Sequence, residues 1–159
     1  MLNQISEWNE GHARALIGAH VASPGGLLPA LHAIQAQFGW VPRPAIGLLA
    51  KEFNLSRAEV YGVTTFYHDF RVEGPAGRHV LKLCRGEACQ AVGADTLASV
   101  IKERLRVDWR QTSEDGEWTL EPVFCLGLCA CGPSAMLDAE PVARLSAEKL
   151  ETLLEKGGA

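Results

Sequence analysis

The sequence predicts an α+β chain in two parts, a small helical domain over residues 1–75 and a sheet-containing domain over residues 76–159. Three observations carry this reading. Apolar positions recur at helical spacing up to about Phe66 and give way to strand-like alternation after Gly74-Pro75-Ala76-Gly77. All five cysteines (Cys84, Cys89, Cys125, Cys129 and Cys131) lie in the second half, whereas His12, His20, His32 and His68, four of the five histidines, lie in the first. Charge is balanced on both sides of the boundary, with 5 basic and 6 acidic residues before Ala76 and 10 and 13 from there on. Neither part is a charged arm, so both are expected to fold.

In the first part, Ile5, Trp8, Ala15, Leu16, Ala19 and Val21 form one apolar side of a helix predicted over Ile5 to Val21, ended by Ser23-Pro24-Gly25-Gly26. A second helix, Leu27 to Phe38, carries Leu27, Leu28, Leu31, Ile34 and Phe38 at helical spacing and meets Gly39, a residue suited to a left-handed cap. Pro42 and Pro44 restart the chain, and Ala45 to Phe53 reads as a short third helix. Ser56-Arg57-Ala58-Glu59 is a capping box, in which serine and glutamate satisfy each other's exposed backbone donors; a fourth helix is expected from there to about Phe66.

In the second part, His79 to Cys84 reads as a strand that delivers Cys84 to its C-terminal end. Gln90 to Leu105 is helical, broken near Gly93, with Asp95 as a candidate cap. Arg106 to Gln111 and Glu117 to Val123 alternate like paired strands around the turn Ser113-Glu114-Asp115-Gly116. Ala135 to Val142 supplies another hairpin around Asp138-Ala139-Glu140, and Ser146 caps a last helix to about Lys156. The order strand, helix, strand, strand, helix is that of a small thioredoxin-like sheet domain.

Composition narrows the class of function. A chain of 159 residues that is 47% apolar and 21% charged can bury a core. Its apolar runs, such as Ala45 to Ala50, fall far short of the roughly 18–20 residues of a membrane span. Met1-Leu2-Asn3-Gln4 lacks the basic and then apolar start of a secretory signal, so a cytoplasmic chain without direct membrane insertion is expected. A net charge of -4 with a pI near 5.7 shows no basic excess that would point to nucleic acid.

The chemistry lies in Cys84-Arg85-Gly86-Glu87-Ala88-Cys89 and in Cys125-Leu126-Gly127-Leu128-Cys129-Ala130-Cys131-Gly132-Pro133. Each group follows a predicted strand, so two loops at one end of a sheet can gather four thiolates. An iron–sulfur cluster requires such thiolates together with nearby backbone donors, and Gly86, Gly127 and Gly132 let the backbone approach. Three other readings compete. Disulfides suit an extracellular chain that needs a staple. A zinc-stabilised interaction module would ordinarily show two C-x2-C-like pairs, whereas the intervals here are x4 and x3. A dithiol exchange enzyme would show C-x-x-C, which this sequence lacks.

The pattern C-x4-C, a long gap, then C-L-G-x-C and G-P resembles the 24-kilodalton [2Fe–2S] subunit family of NADH dehydrogenases. That family includes the gamma subunit of NAD-dependent formate dehydrogenases and subunits of NAD-linked hydrogenases. The likeness extends to Gly26 through His32, Gly39-Trp40-Val41-Pro42, Val60 through Tyr67, and the hairpin from Thr112 to Leu120, so it covers nearly the whole chain.

This resemblance implies a helical domain followed by a thioredoxin-like ferredoxin domain with one [2Fe–2S] cluster, ligated by Cys84, Cys89, Cys125 and Cys129. Cys131 matches no ligand position. The implied role is an electron-transfer subunit with no catalytic residue of its own. It would pass single electrons to or from a partner subunit carrying FMN and the NAD(H) site, within a complex that also holds a larger catalytic subunit. The chain contains no G-x-G-x-x-G loop of its own, in keeping with that role. Its short start and its tail Lys156-Gly157-Gly158-Ala159 resemble the formate dehydrogenase gamma subunit more than the subunit of NADH:quinone oxidoreductase, with the hydrogenase subunit as a further alternative. A free-standing ferredoxin is a separate reading. Trp40, Tyr61, Phe66 and Tyr67 are candidates either for partner anchors or for core, and His32 and His68 are expected to be solvated or hydrogen-bonded side chains.

Overall fold

Residues 7–157, the part that the computed structural model describes, contain seven α-helices and five strands, and the chain divides into two compact units, Met1–Pro75 and Ala76–Ala159. The first unit is helical: α1 (Glu10–Val21), α2 (Leu27–Phe38), α3 (Arg43–Glu52) and α4 (Arg57–Phe66). The expected start of α1 at Ile5 lies outside the described residues. Helix begins at Glu10 because Asn9, in an extended conformation, accepts the His12 backbone N–H on its side-chain oxygen at 2.8 Å. α3 starts two residues earlier than expected, since Pro44 fits the first turn, where its missing N–H costs no helical bond.

The other two helices follow the sequence reading. Gly39 closes α2 in the left-handed conformation (φ 77°), and Ser56 and Glu59 form the reciprocal capping box of α4. Ile17, Leu31, Ile34, Phe38, Leu49 and Val60 are buried together as the core of this unit.

The second unit contains β1 (His79–Cys84), α5 (Glu87–Ala91), α6 (Ala94–Leu105), β2 (Gln111–Thr112), β3 (Trp118–Val123), β4 (Ala135–Leu137), β5 (Glu140–Val142) and α7 (Ala147–Gly157). Its sheet has the order β2-β3-β1-β4-β5, with β1 and β3 parallel and the other pairs antiparallel. Leu81, Leu83, Ile101, Leu120 and Leu150 are its largest fully buried side chains.

Two expectations change here. The strand predicted over Arg106 to Gln111 shrinks to Gln111–Thr112. Arg106 (φ 54°) and Arg110 (φ 65°) take left-handed backbone, and Asp108 folds onto the Trp109 N–H at 2.7 Å, so the alternation of the segment does not become a ladder. Asp95 is not a cap: Gly93 (φ 99°) occupies that position, and Asp95 in the first turn of α6 pairs with Arg85 at 3.0 Å.

Candidate metal centre

Sheet register brings the cysteine loops to one edge. β1 and β3 are parallel, and Cys84 lies opposite Val123 at their C-terminal ends, so the segments that follow leave the sheet on the same side. β4 runs antiparallel to β1 and starts with Ala135 opposite Leu83, so the long loop between β3 and β4 departs from and returns to that same edge. Two backbone bonds tie it down: Arg85 N–H donates to the Val123 carbonyl at 2.7 Å, and Cys84 N–H to the Ser134 carbonyl at 3.0 Å.

The thiols divide into an inner and an outer pair. Cys84 and Cys89 are buried, 2% and 1% exposed, in a small cluster with Ala94, against which Val123 and Leu126 pack. Cys125 and Cys129 are exposed, with their Sγ atoms 3.5 Å apart. Cys125 holds a positive φ of 90°, rare for a residue with a side chain, and the Gly127 N–H donates to its Sγ at 3.3 Å.

Cys131, in a short 3-10 turn over Cys129–Cys131, is half-buried; its hydrogen bonds are backbone ones, from its N–H to Leu128 and from Arg144 N–H to its carbonyl. Among the described residues no three His, Cys, Asp or Glu side chains converge on a single ion position. The arrangement is two and two.

Electrostatics join the pairs. Burial pushes the Cys84 thiol up, but backbone N–H donors from Gly86, Cys125 and Leu126 and a bond with the Cys89 thiol outweigh it, and the net pKa is lowered. Donors from both loops thus converge on one sulfur. Cys129 moves the opposite way: its bond with Cys125 raises it most, followed by the charges of Cys125, Cys89 and Cys84 with a further push from desolvation. Cys129 thus feels the charge of the other three thiols, and a thiolate so placed is one that a nearby cation would stabilise.

Two glycines stand close to the inner pair of sulfurs. A Cβ on Gly86 would stand 3.6 Å from Cys84 Sγ, and one on Gly132 would stand 3.4 Å from Cys89 Sγ and 3.1 Å from a Val92 methyl. Sulfur ligands, aimed N–H donors and glycine approaches fit an anionic iron–sulfur group.

Of the other residues singled out in the sequence, His32 packs against the Phe70 ring at 4.8 Å and Trp40 is half-buried against the helical core. Tyr61, Phe66 and Tyr67 are exposed, Phe66 by 73%, so they are surface rather than core. Two residues near the thiols escape a sequence reading. Ser134, fully buried, sets its hydroxyl 3.4 Å from Cys89 Sγ, and Arg85 places its guanidinium 5.1 Å from the Trp109 ring while pairing with Asp95. Nothing in the spacing around Gly132-Pro133-Ser134 marks the serine.

The profile of the thioredoxin-like [2Fe-2S] ferredoxin family matches residues 13–157. The chain belongs to that family. As a [2Fe–2S] ferredoxin it has a [2Fe–2S] cluster as its cofactor, and its fold is thioredoxin-like. This ferredoxin is 36% identical over 129 residues to an NADH-quinone oxidoreductase subunit of Escherichia coli, covering 81% of this chain and 77% of that protein. It is 30% identical over 130 residues to an NADP-reducing hydrogenase subunit, HndA, of Solidesulfovibrio fructosivorans, covering 82% and 75%. Among solved structures, a chain of an NAD+-reducing [NiFe]-hydrogenase in the H2-reduced state matches with a TM-score of 0.72 at 25% identity, over 84% of this ferredoxin and 22% of that chain. The ferredoxin therefore spans about a fifth of that hydrogenase chain.

Proposed function

We propose that Cys84, Cys89, Cys125 and Cys129 hold the [2Fe–2S] cluster, and that the chain serves as an electron-transfer subunit of a multi-subunit NAD-linked oxidoreductase. The observation that carries the ligand assignment is the pairing of thiols at one sheet edge, with N–H donors from both loops on Cys84. Two thiolates per iron is what a binuclear cluster takes, whereas tetrahedral zinc needs three or four ligands on one ion. When bound, a [2Fe–2S] cluster supplies one-electron transfer. The chain's own part is to bury Cys84 and Cys89 away from water, to direct N–H dipoles at sulfur, and to leave Cys125 and Cys129 at the surface, where a partner can approach.

The sequence reading favours the gamma subunit of formate dehydrogenase. The relatives support its alternative better, since they are a quinone oxidoreductase subunit and a hydrogenase subunit. In our reading the parent complex is an NADH:quinone oxidoreductase or an NAD-linked hydrogenase, the partner is a subunit carrying FMN and the NAD(H) site, a larger catalytic subunit completes the assembly, and the location is cytoplasmic. Among the described residues no helix is long and apolar enough to cross a membrane. The compact units 1–75 and 76–159 are, in the same reading, a helical domain and the cluster domain.

Affinity purification from the native cells tests the assignment. A flavoprotein should co-purify, and the assembly should reduce NAD with hydrogen or oxidise NADH with a quinone. Formate-dependent NAD reduction would restore the formate dehydrogenase reading, and purification alone would favour a free-standing ferredoxin.

A further inference from the structure

Ser134 is one of three polar side chains fully removed from solvent, beside Thr64 and Thr119, among the described residues. Thr64 and Thr119 spend their hydroxyls on structure: Thr64 donates to the Val60 carbonyl, and Thr119 bonds Gly77 and Thr112. Ser134 differs. Its hydroxyl faces Cys89 Sγ at 3.4 Å, within sulfur hydrogen-bond range, and both atoms are buried. The position is set by the sheet, because the Ser134 carbonyl accepts the Cys84 N–H and the next residue, Ala135, is in register with Leu83.

We propose that Ser134 is a positioning residue that tunes the reduction potential through Cys89, an inference that rests on Cys89 being a cluster ligand. A ligand thiolate has no proton to give, so the Ser134 O–H donates and Cys89 Sγ accepts. A donor on a ligand sulfur draws charge off the metal centre. It stabilises the reduced form, which carries one more negative charge, more than the oxidised form, and so raises the potential. Because the pair is buried, water cannot replace the lost donor, and the local dielectric keeps the effect large.

The test compares wild type, Ser134→Ala and Ser134→Cys by iron and acid-labile sulfide content and by redox titration followed with electron paramagnetic resonance. Ser134→Ala should keep wild-type iron and sulfide yet shift the reduction equilibrium about tenfold toward the oxidised form, which is about 59 mV lower for one electron. Ser134→Cys, a weaker donor of similar shape, should fall between the two. An Ala variant with full cluster content and a potential within twofold of the wild-type equilibrium would overturn the proposal. So would loss of the cluster from both variants with helix and sheet content intact, which would give the hydroxyl a role in retaining the cluster instead. If wild type carries the cluster and Cys89→Ser leaves its signal unchanged, it is the ligand reading that fails.

Discussion

Thr119→Val isolates a small polar network that holds the sheet edge opposite the cysteine loops. Thr119 is fully buried on β3. Its hydroxyl accepts the Gly77 N–H at 2.7 Å and shares a 2.8 Å bond with the Thr112 hydroxyl, linking the entry to β1, the short β2 and β3. Valine has nearly the same shape, so no cavity forms, and the loss is the hydrogen bonding alone. Each buried group left unpaired costs about 1–3 kcal/mol. Gly77 and Thr112 are only partly buried, which places each near the lower end, for about 2–3 kcal/mol in total.

Unfolding a cluster-loaded protein couples to loss of the cluster, so native-state hydrogen exchange of the β1 and β3 amides is the suitable assay. The best-protected amides should exchange about 30- to 150-fold faster in Thr119→Val, since about 1.4 kcal/mol is a factor of ten. Thr119→Ser keeps both bonds and loses one buried methyl, worth about 0.8 kcal/mol, so about fourfold is expected. Exchange in Thr119→Val within threefold of wild type would refute the claim that this network stabilises the sheet.

Other perturbations probe the remaining claims. Cys131→Ser should retain two irons and the reduced-state paramagnetic signal, whereas serine at Cys84, Cys89, Cys125 or Cys129 should deplete both; loss of the signal from Cys131→Ser alone would break the ligand assignment. Gly26→Ala would drive a Cβ into the His20 carbonyl oxygen, which forces the turn between α1 and α2 to shift, so a loss of about 1–3 kcal/mol and a lower melting temperature are expected. Glu59 has its pKa lowered chiefly by the Ser56 backbone N–H and then by the Ser56 hydroxyl. The folded carboxyl titrates below the unfolded one, so its stabilisation is complete above the unfolded pKa and is lost as pH falls through the folded pKa. Glu59→Gln should accordingly flatten the acid limb of a melting-temperature profile, and an unchanged slope would contradict the capping box's role in it.

Where local chemistry decides the backbone, the sequence is legible. Gly39 and the Ser56/Glu59 box end and start helices by bonds within a few residues, and β1 spans His79–Cys84, as its alternation predicts. Alternation misleads over Arg106 to Arg110, because left-handed residues and the Asp108 turn depend on how the chain leaves α6, which periodicity does not encode. The cysteine groups can be picked out because both follow strands, but the division into a buried and an exposed pair depends on the parallel register of β1 and β3. Ser134 is invisible for the same reason. Its neighbour Cys89 is distant in sequence, and only the β1/β4 pairing brings them together.

Metal and acid-labile sulfide analysis of the anaerobically purified chain, with electron paramagnetic resonance after reduction, tests the central claim most directly. Two irons and two sulfides per chain, a reddish-brown colour and a one-electron signal in the reduced protein are expected. One zinc in a colourless protein, or an iron-free chain that stays fully folded, would contradict it.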